Sequence, residues 1–181
     1  LANGIDLKTL IEKRTHGLMQ PEKATMIENA TRRDFPNGIP AFGTDALRFT
    51  YCALAATGRD IHFDLGRIEG YRNFCNKLWN AARYVLMNTQ DYTESLKNQI
   101  PLSELNLADR WIISRLQQTI AAVHKYFAEF RFDLLAQTLY EFTWNEYCDW
   151  YLEFSKSALT RENNSGTKQT LIYVLEKLIC L

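Results

Sequence analysis

The sequence predicts an all-α protein, an antiparallel helix bundle preceded by a small mixed α/β connector. Three observations support this fold class. After residue 66, apolar residues recur at helical spacings of three and four over most of the chain. Hydrophobic residues make up 46% of the 181 residues and aromatic residues 13%, which is enough to fold around a core. Short polar stretches separate the helical patterns, as in bundles whose neighbouring helices run antiparallel.

The connector is expected to comprise residues 1–66. Residues 1–43 contain basic and polar helical pieces that prolines and glycines interrupt. Thr44 is predicted to cap a helix that runs to Ala56, because threonine is a favourable residue at the start of a helix. Residues 60–64 alternate apolar and polar side chains, which predicts one short strand.

The bundle is expected to comprise residues 67–181, and its first helix is predicted over residues 67–88. The apolar residues of this helix should face the core, and they are Ile68, Tyr71, Cys75, Leu78, Ala82 and Val85. After a polar linker, Asn106 and Asp109 resemble a capping box at the start of the next helix. That helix repeats the apolar spacing at Ile112, Leu116, Ile120, Val123 and Phe127.

Two further helices complete the predicted bundle. A long aromatic helix is expected at about residues 132–160, and a polar turn separates it from a last helix that starts near Thr167. This last helical pattern is still apolar at Leu181, and Leu1 is not an initiator methionine. We therefore expect the natural protein to be longer at both ends.

Composition restricts the function classes. Lysine plus arginine and aspartate plus glutamate number 21 each, so any nucleic-acid site has to be a local patch. The four cysteines are far apart without a C-x-x-C pair, which predicts reduced core thiols and no metal site. Neither a long apolar stretch nor an export signal occurs, so a cytoplasmic location without membrane contact is expected. No glycine-rich phosphate loop, G-x-S-x-G or H-E-x-x-H motif occurs, and no catalytic residue is predicted.

One face of the helix over residues 67–88 has the side chains that RNA loops require. A stripe at positions i, i+4, i+7 and i+11 consists of Arg72, Asn76, Trp79 and Arg83, and beside it lie Asn73, Lys77, Asn80 and Tyr84. These residues offer cations for phosphates, carboxamides for base edges and two rings for base stacking. The alternative is an ordinary solvated face with a half-buried tryptophan, although such faces usually mix glutamate with lysine.

Several runs of the sequence also match a known family in order and spacing. The runs are Phe35-Pro-Asn-Gly-Ile, Gly43-Thr-Asp-Ala-Leu-Arg-Phe49, Thr57-Gly-Arg-Asp-Ile61, Gly70-Tyr-Arg-Asn-Phe-Cys-Asn-Lys-Leu-Trp-Asn-Ala-Ala-Arg-Tyr84, Leu107-Ala-Asp-Arg-Trp-Ile and Trp144-Asn-Glu-Tyr-Cys-Asp-Trp-Tyr151. Over nearly its whole length the chain resembles the bacterial valyl-tRNA synthetases, and in particular their anticodon-binding region.

The resemblance implies a class I aminoacyl-tRNA synthetase that activates valine with ATP and Mg²⁺ and attaches it to tRNA(Val). The catalytic and editing domains, where valine and ATP bind, should precede Leu1, so no cofactor is expected in this chain. By the resemblance, residues 1–66 touch the inner corner of the tRNA and the bundle holds its anticodon arm. The predicted contacts are Arg72 and Arg83 with phosphates and Asn73, Asn76 and Asn80 with bases. A monomer is expected.

Two alternatives remain open from the sequence. The first is the same module of a leucyl or isoleucyl enzyme, although their sequences differ where this one reads Asp-Ala-Leu-Arg-Phe and Asn-Lys-Leu-Trp-Asn. The second is a helical protein-interaction bundle with no RNA role, which the neutral net charge and the acidic residues of the aromatic helix favour. An independent enzyme is disfavoured because no catalytic constellation occurs.

Overall fold

The computed structural model describes residues 1–55, 64–90 and 101–181. The secondary structure of these residues consists of helices and one isolated antiparallel bridge, between Ile5 and Ile39. The all-α prediction is therefore confirmed. The strand expected at residues 60–64 lies outside the described residues, except for Asp64, whose carboxylate accepts a hydrogen bond of 2.8 Å from the Gly66 amide.

The chain forms two compact units. The first consists of Leu1–Thr50 and Asp64–Arg72, and the second consists of Asn73–Leu181 with the described part of Tyr51–Phe63. The expected division of the chain after residue 66 stays a prediction.

The first unit is built from short helices. These are α1 (Leu7–Thr15), a 3₁₀ turn (Pro21–Lys23), α2 (Ala24–Asp34), most of α3 (Thr44–Leu54) and the first turns of α4 (Leu65–Asn88). Helix α1 packs against α2, and a small core of Phe42, Ala46 and Ile68 lies beside α3. Gly38 has a φ of +74°, and a Cβ there would lie 2.3 Å from the Ile5 carbonyl oxygen, so this close approach requires glycine.

The second unit is a bundle of long helices. It contains the rest of α4, then α5 (Leu107–Ala128), α6 (Phe132–Glu141), a π-helical segment (Phe142–Tyr151), α7 (Leu152–Leu159) and α8 (Ser165–Cys180). The rod formed by α6, the π-helical segment and α7 runs antiparallel to α5, because Asp109 bonds to Tyr151 and Arg115 to Glu146. These two neighbouring elements thus run in opposite directions, as the sequence predicted.

The core of the second unit draws side chains from α4, α5, the π-helical segment, α7 and α8. Its buried members are Ala81, Val85, Ile112, Leu116, Phe142, Tyr147, Cys148, Tyr151, Leu152, Leu171, Val174, Leu175 and Leu178. At one end of this core the predicted capping box is present, because Asn106 and Asp109 exchange two backbone-to-side-chain hydrogen bonds of 3.0 Å. The Asp109 carboxylate is fully buried and also accepts hydrogen bonds from Tyr151 and Thr167.

The π-helical segment is the largest departure from the predicted helices. The sequence predicts one regular helix over about residues 132–160, whereas residues 142–151 form a wider helix in which the Leu152 amide donates to the Tyr147 carbonyl, five residues earlier. Stacked rings four residues apart accompany the widening, with centroids 6.0 Å apart for Tyr147 and Tyr151. Composition alone does not reveal such widening, because it depends on what the aromatic rings pack against.

Several details of the predicted elements were wrong. Thr44 is the first residue of α3 instead of its cap, and α3 ends at Leu54, while Ala56 lies outside the described residues. The side chain of Phe127 is 63% exposed, since it packs edge-on against Phe132 at the surface instead of in the core. The four cysteines were predicted to lie in the core, but Cys52 and Cys180 are exposed.

The core-facing side of α4 is turned relative to the prediction. Phe74 and Ala81, which are absent from the predicted seam, are buried, whereas Cys75 and Ala82 are only half-buried. The Phe74 ring stacks on Tyr140 of α6 with centroids 5.0 Å apart. Both sets of residues satisfy the spacing of three and four, so the pattern alone does not choose between them.

Candidate nucleic-acid interface

The exposed face of α4 in the second unit carries three amides, an indole and a guanidinium, and the exposed apolar side chains of Leu86 and Met87 follow them along the helix. Asn73, Asn76 and Asn80 are exposed, and their side-chain amides have no hydrogen-bond partner among the described residues. Trp79 is 69% exposed, which is unusual for so large a ring. Within the described part of the chain, no acidic side chain pairs with the exposed Arg83. We call these five residues the α4 face.

Lys77 lies at one edge of the α4 face and is held by the π-helical segment. Its ammonium forms a salt bridge with Asp149 and lies 4.0 Å from the centroid of the Trp144 ring. Trp144 stacks on Tyr140 with centroids 5.6 Å apart, and Tyr140 stacks in turn on Phe74. Lys77 therefore ends a column of aromatic rings that joins α4 to α6 and the π-helical segment, and only 27% of its side chain is exposed.

Tyr84 is held in a similar way by α7. Its hydroxyl lies 3.0 Å from the Ser155 hydroxyl, and its ring packs against the core of the bundle. Trp79 and Tyr84, the two rings predicted to stack on bases, therefore differ in exposure. Trp79 presents most of its surface to solvent, whereas Tyr84 is half-buried and its hydroxyl is engaged.

Arg72 belongs to the first unit, where it has partners of its own. Its guanidinium forms a salt bridge of 3.3 Å with Glu69, one helical turn earlier, and lies 5.7 Å from the centroid of the Phe42 ring. Exposed pairs of this kind contribute little and break readily. Arg72 therefore keeps the ability to meet a phosphate but is less free than Arg83.

Two residues beside the α4 face, Trp144 and Asp149, were missed by the sequence reasoning. Acidic side chains on the long aromatic helix argued against a phosphate contact there, and residues five apart do not share a face of an α-helix. The π-helical segment puts both residues against Lys77. The signal available in the sequence was the dense run of aromatic residues, which exceeds what one helix face can bury.

The titratable side chains beneath this surface are unsuited to nucleophilic chemistry. Burial raises the pKa of the Cys148 thiol to about 11, which outweighs the opposing effect of the Lys77 ammonium. Burial also raises the pKa of Tyr147 well above its usual value. Both groups are neutral at physiological pH, so neither is an activated nucleophile.

The described ranges contain neither a membrane-spanning helix nor a cluster of metal ligands. No helix there is long and apolar enough to span a bilayer. No cluster of three or more histidine, cysteine, aspartate or glutamate side chains in the same residues is arranged to hold a metal ion.

A family model and several known proteins match this chain. Residues 109–181 match the family model of the anticodon-binding domain of tRNA ligase. The valine–tRNA ligase of Coxiella burnetii is 59% identical over 186 aligned residues, which cover 100% of this chain. This chain belongs to the valine–tRNA ligase family. The enzyme of Legionella pneumophila strain Paris is 56% identical over 100% of the chain, and that of Acinetobacter baylyi 54% over 97%.

Valine–tRNA ligases of this group are much longer than the chain, which spans about a fifth of their length, since the aligned part is 20% of the Coxiella and Legionella proteins. The resemblance to the valine family is confirmed over the alternative of a leucyl or isoleucyl enzyme. The anticodon-binding family model begins at Asp109, so the α4 face lies outside the residues that it matches. The assignment of individual tRNA contacts therefore stays a prediction.

Proposed function

We propose that this chain is the anticodon-recognition module of a valine–tRNA ligase and that its ligand is the anticodon arm of tRNA(Val). The observation that carries the proposal is the α4 face, where base-reading and phosphate-binding groups are exposed without partners in the described part of the chain. The family match in the neighbouring helices supports the same ligand. An interaction bundle without an RNA role does not account for the family match.

The α4 face would act on an unpaired anticodon. Each asparagine amide offers both a donor and an acceptor, so Asn73, Asn76 and Asn80 can pair with base edges that an A-form stem hides. The exposed Trp79 ring offers a stacking surface for one splayed base. Arg83 supplies a charge to the phosphate backbone, and Arg72 supplies another after leaving Glu69.

The full ligase is proposed to activate valine with ATP and Mg²⁺ and to transfer it to tRNA(Val). This sequence has no glycine-rich phosphate loop and no catalytic constellation, so we assign ATP and valine to parts of the ligase outside the aligned segment. We further propose that residues 1–66 touch the inner corner of the tRNA, and that the protein acts as a monomer in the cytoplasm.

Substitutions on α4 test which residues read the bases. Replacing Asn76→Ala together with Asn80→Ala should reduce the preference for the valine anticodon stem-loop over the isoleucine stem-loop about tenfold, the equivalent of two ordinary hydrogen bonds. Circular dichroism should report an unchanged helical fold because both side chains are exposed. An unchanged preference in the folded double variant would remove these residues from the site.

Arg83→Gln tests the phosphate contact separately. It should weaken the binding of both stem-loops equally and reduce the slope of log K against log salt by about 0.7, as expected for one lost contact to single-stranded RNA. Lys125→Gln is the matched control, because Lys125 is an exposed cation on a different helix, α5. Equal effects of the two substitutions would indicate only a general loss of charge.

A further inference from the structure

The environment of Lys77 differs from that of an ordinary phosphate-binding lysine. Such a lysine is a mobile, solvated charge on a flexible stem. The Lys77 ammonium instead pairs with Asp149 and lies against the Trp144 ring, with 27% of its side chain exposed. An ammonium has three N–H donors, so the carboxylate and the ring leave only part of its donor capacity, directed away from both.

The π-helical segment makes this arrangement possible. Trp144 and Asp149 are five residues apart, which would place them about 140° apart around an α-helix. In the wider helix they lie nearly one turn apart, and both reach the same ammonium. An acidic side chain next to a site for a polyanion also repels the ligand, so its presence at this edge calls for a compensating role.

We propose that Asp149 is a positioning residue that fixes Lys77 as a directed hydrogen-bond donor to an anticodon base. This inference rests on the function proposed above. With Asp149 in place, the pair carries no net charge, so Lys77 adds little to the attraction of RNA in general. The held ammonium donates instead to a carbonyl oxygen or ring nitrogen of one base and thereby contributes to selectivity.

Removing the carboxylate should free Lys77 and change binding in a characteristic way. Asp149→Asn should lower the preference for the valine stem-loop over the isoleucine stem-loop about tenfold, the value of one hydrogen bond from a charged group. Binding of the isoleucine stem-loop should become tighter, and the salt slope should steepen by about 0.7, because a free ammonium now meets phosphate. Asp149→Glu should restore most of the preference, since it keeps the charge.

Two controls separate positioning from a simple change of charge. Glu176→Gln on α8 removes a similarly exposed carboxylate that also pairs with a lysine, with 44% of its side chain exposed against 48% for Asp149. It should leave the preference unchanged. In a Lys77→Gln background, Asp149→Asn should have no further effect on the preference, because the group that it positions is gone.

The titrations use the full chain, the two synthetic stem-loops and two salt concentrations, with near-ultraviolet circular dichroism as a check on the fold. Asp149 has no positioning role if Asp149→Asn leaves the preference intact, or if it lowers the preference equally in the Lys77→Gln background. Failure of the unsubstituted chain to bind either stem-loop would instead overturn the proposed function, and this inference with it.

Discussion

Asp109 connects three helical elements through one buried carboxylate. It accepts hydrogen bonds from the Asn106 amide at 3.0 Å, the Tyr151 hydroxyl at 2.7 Å and the Thr167 hydroxyl at 3.1 Å. The bond to Asn106 was predictable, because a capping box joins residues three apart. The bonds to Tyr151 and Thr167 were not, since they join residues 42 and 58 positions apart and depend on the packed bundle.

Tyr151→Phe tests the strength of this polar centre. The substitution removes one hydrogen bond to a buried carboxylate and should lower the free energy of unfolding by about 1.5–3 kcal/mol in urea titrations. Tyr173→Phe is the matched control, because the Tyr173 hydroxyl makes only an exposed hydrogen bond of 3.2 Å with Gln117. Similar losses for the two variants would mean that Asp109 is not a centre of stability.

The cysteines differ in exposure and should therefore differ in their reactivity towards an alkylating reagent. Cys148 is 7% exposed, and burial raises the pKa of its thiol to about 11, whereas Cys52 and Cys180 are exposed. Brief treatment with iodoacetamide at pH 8 should label Cys52 and Cys180 and leave Cys148 unmodified until urea is added. Mass spectrometry of the digested protein measures this order, and early labelling of Cys148 would contradict the buried placement.

Among the elements, helices with strong local signals were the most predictable. The capping box sets the start of α5, and the apolar spacing locates α4 and α5 to within about two residues. The π-helical segment and the turned face of α4 were not predictable. Both depend on where the rings of Phe74, Tyr140 and Trp144 stack, which is decided by contacts between helices.

The start of α8 lies very close to the backbone of Glu104. A Cβ on Gly166 would lie 2.2 Å from the Glu104 carbonyl oxygen, so α8 approaches this backbone only because residue 166 lacks a side chain. Gly166→Ala should therefore lower the free energy of unfolding by about 1–3 kcal/mol, the usual cost of overpacking.

Gly70→Ala in α4 is the matched control for this substitution. Among the described residues, no atom lies within 4 Å of the position that its Cβ would occupy. The greater helix propensity of alanine should therefore stabilise the protein by about 0.5–1 kcal/mol. Urea titrations that gave both alanines the same sign would show that the approach of α8 to Glu104 is not a tight constraint.

For the molecule as a whole, the sequence was most informative about family and least informative about the side chains at the site. Sequence runs spread over the chain identified the valine family, and the polar face of α4 was recognisable from its composition. The engagement of Lys77 by Asp149 and of Tyr84 by Ser155 was not, because each pair is separated by more than 70 positions. Lys77 and Tyr84 are therefore held by neighbouring helical elements, whereas the residues of the α4 face are exposed.

Recognition of the valine anticodon by this chain can be measured without the rest of the ligase. A fluorescence titration of the purified chain with the anticodon stem-loops of the valine and isoleucine tRNAs at low salt, repeated at higher salt, tests it most directly. We expect tighter binding of the valine stem-loop at both salt concentrations and weaker binding of each stem-loop at higher salt. Equal binding of the two stem-loops, or binding of neither, would contradict the proposed recognition.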